Sequence, residues 1–550
     1  MGEQTPLEST SYEELQSTFS WDDYWDGCDW NARDELNMGH ESIDRHRDER
    51  GDDLALLWVG ADGSEERYTF SDLADLSDRV ATALEQFGVS AGDRVFTYLP
   101  RIPEHYAVVL GTLKMGAVFG AINERYGPDG IAHRLGDSRA TAVLTTPENR
   151  GTVEEACSGL DPEILVVDRN GVGTDGADLL AAVDDADPGY ETARTTPDDP
   201  ALLYYTSGTT GPAKGVLHAH RFAVANAAFI DTPAGVTEDD LYWCTADLGW
   251  LTGLNPFGAW FNGAAIVVYE GEFDAERWVD VLDRYPIDVL FTVPTAYRML
   301  EEHEQLLDDV DLSPLRTLLS VGEPLNPSVI EWAKDRFGVP ILDTYGTSET
   351  YGTVVSNYPL SGWEIKPGSM GKPYPGIDIR LVKPGTLEEV DDDEIGEIAV
   401  RADYPSCFLE YWERPEKTDS KLTDGWVLTD DLASRDEDGY FWFEGRADDV
   451  ILSAGYRIGP FDIESTLVEH DTVAEAAVVP KPDDQRGNIV KAFVVCSEGV
   501  EPTDETRDAV RAHVRNRLAA HEYPRAIEFV DELPKTVTGK IRRTELRDAT

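Results

Sequence analysis

YYTSGTTGPAKGV, residues 204–216, is a Ser/Thr/Gly-rich loop that follows the strand-like run ALLYY (201–205). The hydroxyls of Thr206, Ser207, Thr209 and Thr210, with the mobile backbone N–H groups around Gly208, suit this loop to wrap phosphate oxygens. Lys214 adds a cation. It is not a Walker A loop, because Lys214 is followed by Gly215 and the glycine spacing differs. Outward from the loop, strand-like apolar runs alternate with helical patterns. RVFTYLP (94–100) is followed by a helix through EHYAVVLGTLKMG (104–116) and then AVFGAI (117–122); TAVLTT (141–146), EILVVD (163–168), AAIVVYE (264–270) and DVLFTV (288–293) continue the series. Such alternation predicts βαβ units and mainly parallel sheets. After about residue 375 short strands separated by acidic turns predict a β-rich subdomain, about 375–445, and the C-terminal stretch alternates again as a compact α+β unit. The fold class is therefore α/β: an N-terminal domain over 1–447 and a small C-terminal domain over 448–550, divided in GRADD (445–449).

Charge is the unusual feature. Asp and Glu number 106 against 47 Lys and Arg, a net charge of −59, and only 12 of the cations are lysine. The acidic residues are spread over the whole chain. Self-repulsion on this scale destabilises a compact state at low ionic strength and is relieved by screening, so the composition reads as adaptation to high salt. Nucleic-acid binding is excluded, since phosphate neutralisation needs a basic footprint. Cys28, Cys157, Cys244, Cys407 and Cys496 are scattered without a CxxC pair, as expected of buried thiols in a reducing cytoplasm. No apolar run reaches about 18 residues, so no membrane span is expected. The N-terminus, MGEQTPLESTSYEELQ, lacks the pattern of a secretory signal. His218 and His220 have no partners at metal-ligand spacing and read as structural. No GxSxG elbow or GxGxxG fingerprint is present.

The 204–216 string resembles the phosphate-binding signature of the adenylate-forming superfamily: acyl-CoA synthetases, peptide-synthetase adenylation domains and luciferases. Further segments resemble that superfamily's motifs in the expected order. DTYGTSET (343–350) looks like its adenine and magnesium segment, spanning Asp343, Thr344, Tyr345, Gly346, Thr347 and Ser348. By that resemblance Tyr345 lies against the adenine, and Glu349, with Thr209, helps hold Mg²⁺, a hard cation suited to oxygen ligands. SVGEPLNP (320–327) resembles the segment on the other side of the adenine, with Gly322, Glu323 and Pro324 at its centre. WVLTDD (426–431) resembles the ribose motif; the resemblance gives the ribose to Asp430, with Thr429 where glycine is usual. In FEGRADDVILSAGYRIGP (443–460), Arg446 is implied to contact the ribose, Asp448 to be the hinge, and Arg457 to reach the α-phosphate or serve the second half-reaction. Ser453, Gly455 and Arg515 are the implied coenzyme A contacts. Lys540, in LPKTVTGKIRR (533–543), matches the catalytic lysine, whose cation stabilises charge gathering around the α-phosphate.

The implied reaction joins a carboxylic acid to coenzyme A through an acyl-adenylate, using ATP and Mg²⁺, with the small domain rotating between half-reactions. A homo-oligomer is compatible. YWCTADLGWLTG (242–253) is close to the acetyl-CoA synthetase pattern, and by that match Trp250, Leu251, Thr252, Val321 and Gly346 line the acyl pocket. Acetyl-CoA synthetases carry tryptophan where this chain has Gly346, so an opened pocket and a medium-chain or short branched fatty acid are expected. Propionate, acetate and aromatic acids are the alternatives. A carrier-loading adenylation unit is disfavoured because the sequence ends ten residues after Lys540. An inactive nucleotide-binding protein is disfavoured by the joint presence of Lys540, Glu349, Asp430 and Arg446.

Overall fold

The apolar runs singled out in the sequence form the strands Arg94–Tyr98, Val118–Ala121, Ala142–Thr145, Glu163–Val166, Ala265–Tyr269 and Val289–Thr292, and the helical pattern forms Pro103–Lys114. Pro103 suits its first turn, where a missing N–H costs nothing. This computed structural model describes residues 9–172, 177–206, 212–323, 325–352, 354–391, 394–447, 449, 451–453, 456–483, 486–497, 499–518, 522–535 and 541–550.

Two large sheets carry the N-terminal body. In one, eight described strands run in the order Glu410–Tyr411, Lys214–Ala219, Pro200–Thr206, Val118–Ala121, Arg94–Tyr98, Ala142–Thr145, Glu163–Val166 and Ala177–Asp178. Pairing is parallel except at the first two junctions. The other sheet has a parallel centre, with Ile341–Tyr345, Thr317–Val321, Val289–Thr292, Leu241–Cys244, Ala265–Tyr269 and Leu54–Val59 side by side. It continues through Val355–Ser356 and Ser369–Pro373 into the antiparallel strands Phe441–Arg446, Trp426–Arg435, Gly396–Arg401 and Ile379–Val382. These antiparallel strands are the β-rich portion. One apolar core spans both sheets: Phe119, Leu202 and Tyr204 from the first share it with Ile266, Val268 and Val289 from the second and with Leu110, Phe229 and Trp260 of the intervening helices. Fully buried strands explain why these runs are apolar throughout.

The C-terminal unit has its own core, with Ile451, Ile463, Leu467, Val478, Val490, Val494, Val510 and Val514 packed together. Strands Val473–Asp483 and Gly487–Cys496 pair antiparallel, Ala526–Phe529 joins Gly487–Cys496 in parallel, and helices Pro460–Val468 and Asp504–Arg517 pack alongside.

The N-terminal aromatics wrap the larger body. Trp21 stacks on Tyr374 and Tyr404 at interplanar angles of 27° and 26°, and Phe19 meets Tyr374 edge-on. One of the scarce lysines, Lys114, is fully buried between Asp44 (2.6 Å) and Asp78 (2.8 Å). No helix among the described residues is long and apolar enough to cross a membrane.

Candidate active site

Parallel strands Leu241–Cys244, Val289–Thr292, Thr317–Val321 and Ile341–Tyr345 end along one edge, and the segments that follow them hold most of the residues singled out in the sequence. Ligands of α/β sheets sit outside the carboxyl ends of such strands. From the other sheet, Thr206 and Lys214 face each other as the last pair of an antiparallel hairpin. Ser207, Gly208, Thr209 and Thr210, between them, lie outside the described residues, as do Pro324, Asp448, Gly455 and Lys540.

Lys214 places its ammonium 4.6 Å from the centre of the Tyr411 ring. The Tyr411 hydroxyl donates a short hydrogen bond to Glu349 Oε1. Burial pushes the Lys214 ammonium below its ordinary range, and burial together with the Glu349 charge pushes the Tyr411 phenol well up. Tyr411 therefore donates rather than ionises. The loop carrying Glu349 is sewn down on both sides: Phe408 N–H donates to Glu349 O (2.9 Å), and His218 Nε2 meets Ser348 O at 2.9 Å. Within it, Thr347 N–H donates to Thr350 Oγ1 (2.9 Å). His218 and His220 are both buried, and burial holds both imidazoles down to about 4. Among the described residues no group of three or more His, Cys, Asp or Glu could hold a metal ion.

Tyr345, at the end of its strand, donates from its hydroxyl to Asp431 Oδ2 (2.7 Å), and Arg446 Nη1 lies 3.1 Å from Asp431 Oδ1. Asp431 is buried. Asp430, one residue earlier, has a different setting: its side chain is 56% exposed, it pairs with Lys421 (2.7 Å) and Arg446 (3.7 Å), and its φ is +64°. Left-handed backbone favours glycine. The glycine-like position of the WVLTDD segment is thus Asp430, not Thr429, and the carboxylate held between Tyr345 and Arg446 is the next residue. From Lys214 through Tyr411, Glu349, the loop back to Tyr345, then Asp431 and Arg446, the polar groups form one connected series.

Other residues from the sequence reading are placed as follows. Asp343 is buried, its Oδ1 has no hydrogen-bond partner among the described residues, and burial pushes its carboxyl well above the usual range. Thr344 spends its hydroxyl on Ser320 O (2.8 Å). Gly322 is exposed at φ +90°, and a Cβ there would meet nothing within 4 Å, leaving an open face. The Glu323 carboxylate is taken by Thr295 Oγ1 (2.6 Å) and Arg298. Ser453 is buried at the end of strand Ile451–Ser453, Arg515 is exposed on helix Asp504–Arg517, and Arg457 lies in strand Tyr456–Ile458. The basic island around 535–543 is locally compensated: Lys535 pairs with Glu475, Arg542 with Glu545 and Arg543 with Glu464. Arg547 and Arg543 (3.7 Å) of the last helix hold Asp449, the residue after the expected hinge.

The acyl wall residues Trp250, Leu251 and Thr252 sit half-buried at the turn Leu251–Leu254, and Val321 is half-buried at its strand end. Gly346 corrects the sequence reading. A Cβ built on Gly346 would lie 1.9 Å from Gly352 O, and one on Gly352 would lie 2.0 Å from the Phe229 ring. The expected free space behind Gly346 is filled by backbone and then by an aromatic ring.

Residues 43–412 match the AMP-binding enzyme family, and residues 462–540 match the AMP-binding enzyme C-terminal domain. The chain belongs to that family. Its relatives are acyl-coenzyme A synthetases, acid–thiol ligases that form AMP and use ATP and coenzyme A as substrates. Acetyl-coenzyme A synthetase of Bacillus subtilis is 40% identical over 544 residues, 98% of this chain and 94% of that protein. Mitochondrial acyl-coenzyme A synthetase ACSM4 of Mus musculus is 37% identical over 92% of this chain and 88% of its own length. Among solved structures, Brucella canis acyl-CoA synthetase superposes with a TM-score of 0.77 at 36% identity, covering 98% of this chain and 99% of that one. The anthranilate CoA ligase AuaEII with anthranoyl-AMP gives 0.86 at 30% identity, covering 94% and 97%. Two candidate site residues of this AMP-forming synthetase emerge only from the structure: Tyr411, which stands in FLEYWERPEKT outside any recognised motif, and Asp431, the neighbour of the expected Asp430.

Proposed function

We propose that this synthetase activates a medium-chain or short branched fatty acid. The observation that carries the reading of the site is the pair of contact sets beside the strand ends, Lys214–Tyr411–Glu349 and Tyr345–Asp431–Arg446, joined through the segment 345–349. There the hairpin of Thr206 and Lys214 receives the triphosphate, Tyr345 flanks the adenine, and Asp431, in place of Asp430, accepts from the ribose with Arg446 beside it. Asp343, buried and with its carboxyl pushed toward the neutral form, offers a polar group in the adenine-side strand.

In the first half-reaction a carboxylate oxygen of the acid bonds to the α-phosphorus and the bond to the leaving pyrophosphate breaks, giving acyl-AMP. Lys540 would neutralise charge at the α-phosphate, while Lys214 stays with the other phosphates. In the second, the coenzyme A sulfur bonds to the acyl carbonyl carbon, its proton is lost, and AMP leaves. Rotation about Asp448 exchanges Lys540 for the thiol, with Arg457, Ser453, Gly455 and Arg515 on the coenzyme A side. A divalent ion fits the Glu349 carboxylate, and the family resemblance adds Thr209 as a ligand: Mg²⁺ commonly takes one or two carboxylates and completes its shell from phosphates and water. When bound, Mg²⁺ would neutralise phosphate charge. The acidic composition supports work in a high-salt cytoplasm.

A second reading, a short acid such as propionate or acetate, is favoured by the filled space behind Gly346 and by the acetyl-coenzyme A synthetase relative. Pyrophosphate release and acyl-CoA formation with straight, branched and aromatic acids from C2 to C12, in molar KCl, decide between them. A maximum at C4 to C8 is expected; a maximum at acetate would replace the first reading with the second, and no release from any acid would end both.

A further inference from the structure

Tyr351 is a buried aromatic residue with φ at +27°. Bulky side chains avoid this region, so the surroundings must hold it there. They do so from several sides. Its hydroxyl lies within hydrogen-bond reach of Asn226 Oδ1 (3.0 Å) and Asn255 Oδ1, its one proton going to one of the two. Its ring centre lies 3.9 Å from that of Phe222. Its N–H donates to Thr347 O (2.9 Å), and its carbonyl accepts from Ser406 Oγ (3.1 Å).

The two asparagines tie the phenol to the acyl wall. Asn255 directly follows the turn Leu251–Leu254, and Asn226 Nδ2 donates to Leu254 O (2.8 Å). On its other flank, Tyr351 precedes Gly352, whose carbonyl oxygen occupies the space a Cβ on Gly346 would need. Gly352 in turn rests against Phe229, which is backed by Tyr374 at 4.8 Å between ring centres. A side chain at 346 therefore has nowhere to go; the volume is already taken by the turn that Tyr351 pins.

We propose that Tyr351 determines acyl-chain length in this synthetase: its anchored phenol fixes the Gly352 carbonyl against Gly346 and so closes the far end of the acyl pocket. This rests on the acyl-CoA synthetase reading and on the acyl wall at Trp250–Thr252. Removing the ring releases the anchor on Asn226, Asn255 and Phe222 that pins the turn, so the turn can recede and admit longer tails.

The test is the ratio of kcat/KM for octanoate to that for butanoate in wild type, Tyr351→Gly and Phe229→Leu, measured in molar KCl by acyl-CoA formation. Tyr351→Gly should raise the ratio at least tenfold, mainly through KM for octanoate. Phe229→Leu, which shrinks the ring behind Gly352 and keeps the core apolar, should raise it several-fold, and serves alone if the glycine variant does not fold. A merely structural Tyr351 would lower both rates together. Unchanged ratios in the folded variants, with wild type active, overturn the proposal and leave the function standing; a wild type that activates no acid overturns the function and this inference with it.

Discussion

Asp430 and Asp431 are neighbours with opposite expected behaviour, and the pair Asp431→Asn and Asp430→Gly separates them. At Asp431 the side chain is 10% exposed and accepts from Tyr345 (2.7 Å) and Arg446 (3.1 Å). An amide keeps the shape and removes the charge. The amide oxygen keeps one of the two hydrogen bonds without the carboxylate charge, the amide NH2 faces a donor and loses the other, and the acceptor offered to the ribose weakens, about 1 kcal/mol each. The total of about 3 kcal/mol corresponds to roughly 100-fold in kcat/KM for ATP. At Asp430, glycine relieves about 1 kcal/mol of left-handed strain. It also removes ion pairs whose carboxylate is 56% exposed, worth about 0.2–1 kcal/mol. The two terms nearly cancel. Asp430→Gly should therefore stay within about threefold of wild type at unchanged thermal midpoint, by the same near-balance. The assay is pyrophosphate release at varied ATP and saturating acid in molar KCl, with thermal unfolding run alongside. If Asp430→Gly falls as far as Asp431→Asn, or Asp431→Asn keeps full activity, the reassignment is refuted.

Lys540→Ala should abolish acid-dependent pyrophosphate release while leaving thioester formation from supplied acyl-AMP largely intact; equal loss of both contradicts a lysine specific to the first half-reaction. With a net charge of −59, activity and thermal midpoint should rise steeply from dilute buffer to molar KCl, and full activity in dilute buffer would remove the high-salt reading. Burial holds His218 and His220 near 4, below the unfolded value of about 6.5. The unfolded chain therefore binds protons first as the pH falls, and the stability these groups contribute, complete above about pH 6.5, is lost toward pH 4. A loss on the order of 2 kcal/mol each is expected between pH 7 and 5. His218→Gln should flatten part of that slope in thermal unfolding; an identical slope would show that other groups govern it.

Much of the fold could be read from the chain because strands buried on both faces must be apolar throughout: Arg94–Tyr98, Ala265–Tyr269 and Val289–Thr292 fall inside the runs that announce them. The segments 204–216 and 343–350 stand out in the sequence because ligand chemistry constrains the residue types of such loops, although 207–211 lie outside the described residues. What stayed hidden depends on backbone direction and on distant partners. The left-handed φ that makes Asp430 the glycine-like position leaves no mark in a string reading TDD. Tyr411 reaches Glu349 from 62 residues away, brought there by the pairing of Glu410–Tyr411 with Lys214–Ala219 and by the Phe408 N–H bond to Glu349 O. Gly346 suggested room because a missing side chain usually means space, but here the neighbouring turn fills it.

The junction between the two bodies has a mechanical consequence. Arg446 is moored to the large body through Asp431, and Ala447 N–H donates to Asp430 O (2.8 Å), while Asp449 is moored to the small body by Arg543 and Arg547. Only Ala447 and Asp448 lie between the moorings, so any swing of the small body has about four backbone torsions available to it. So short a connection acts as a swivel and not as a leash. It passes on orientation without slack, and the proposed scheme, with a lysine at the α-phosphate and then a thiol at the acyl carbonyl, gains from a joint with few stopping places.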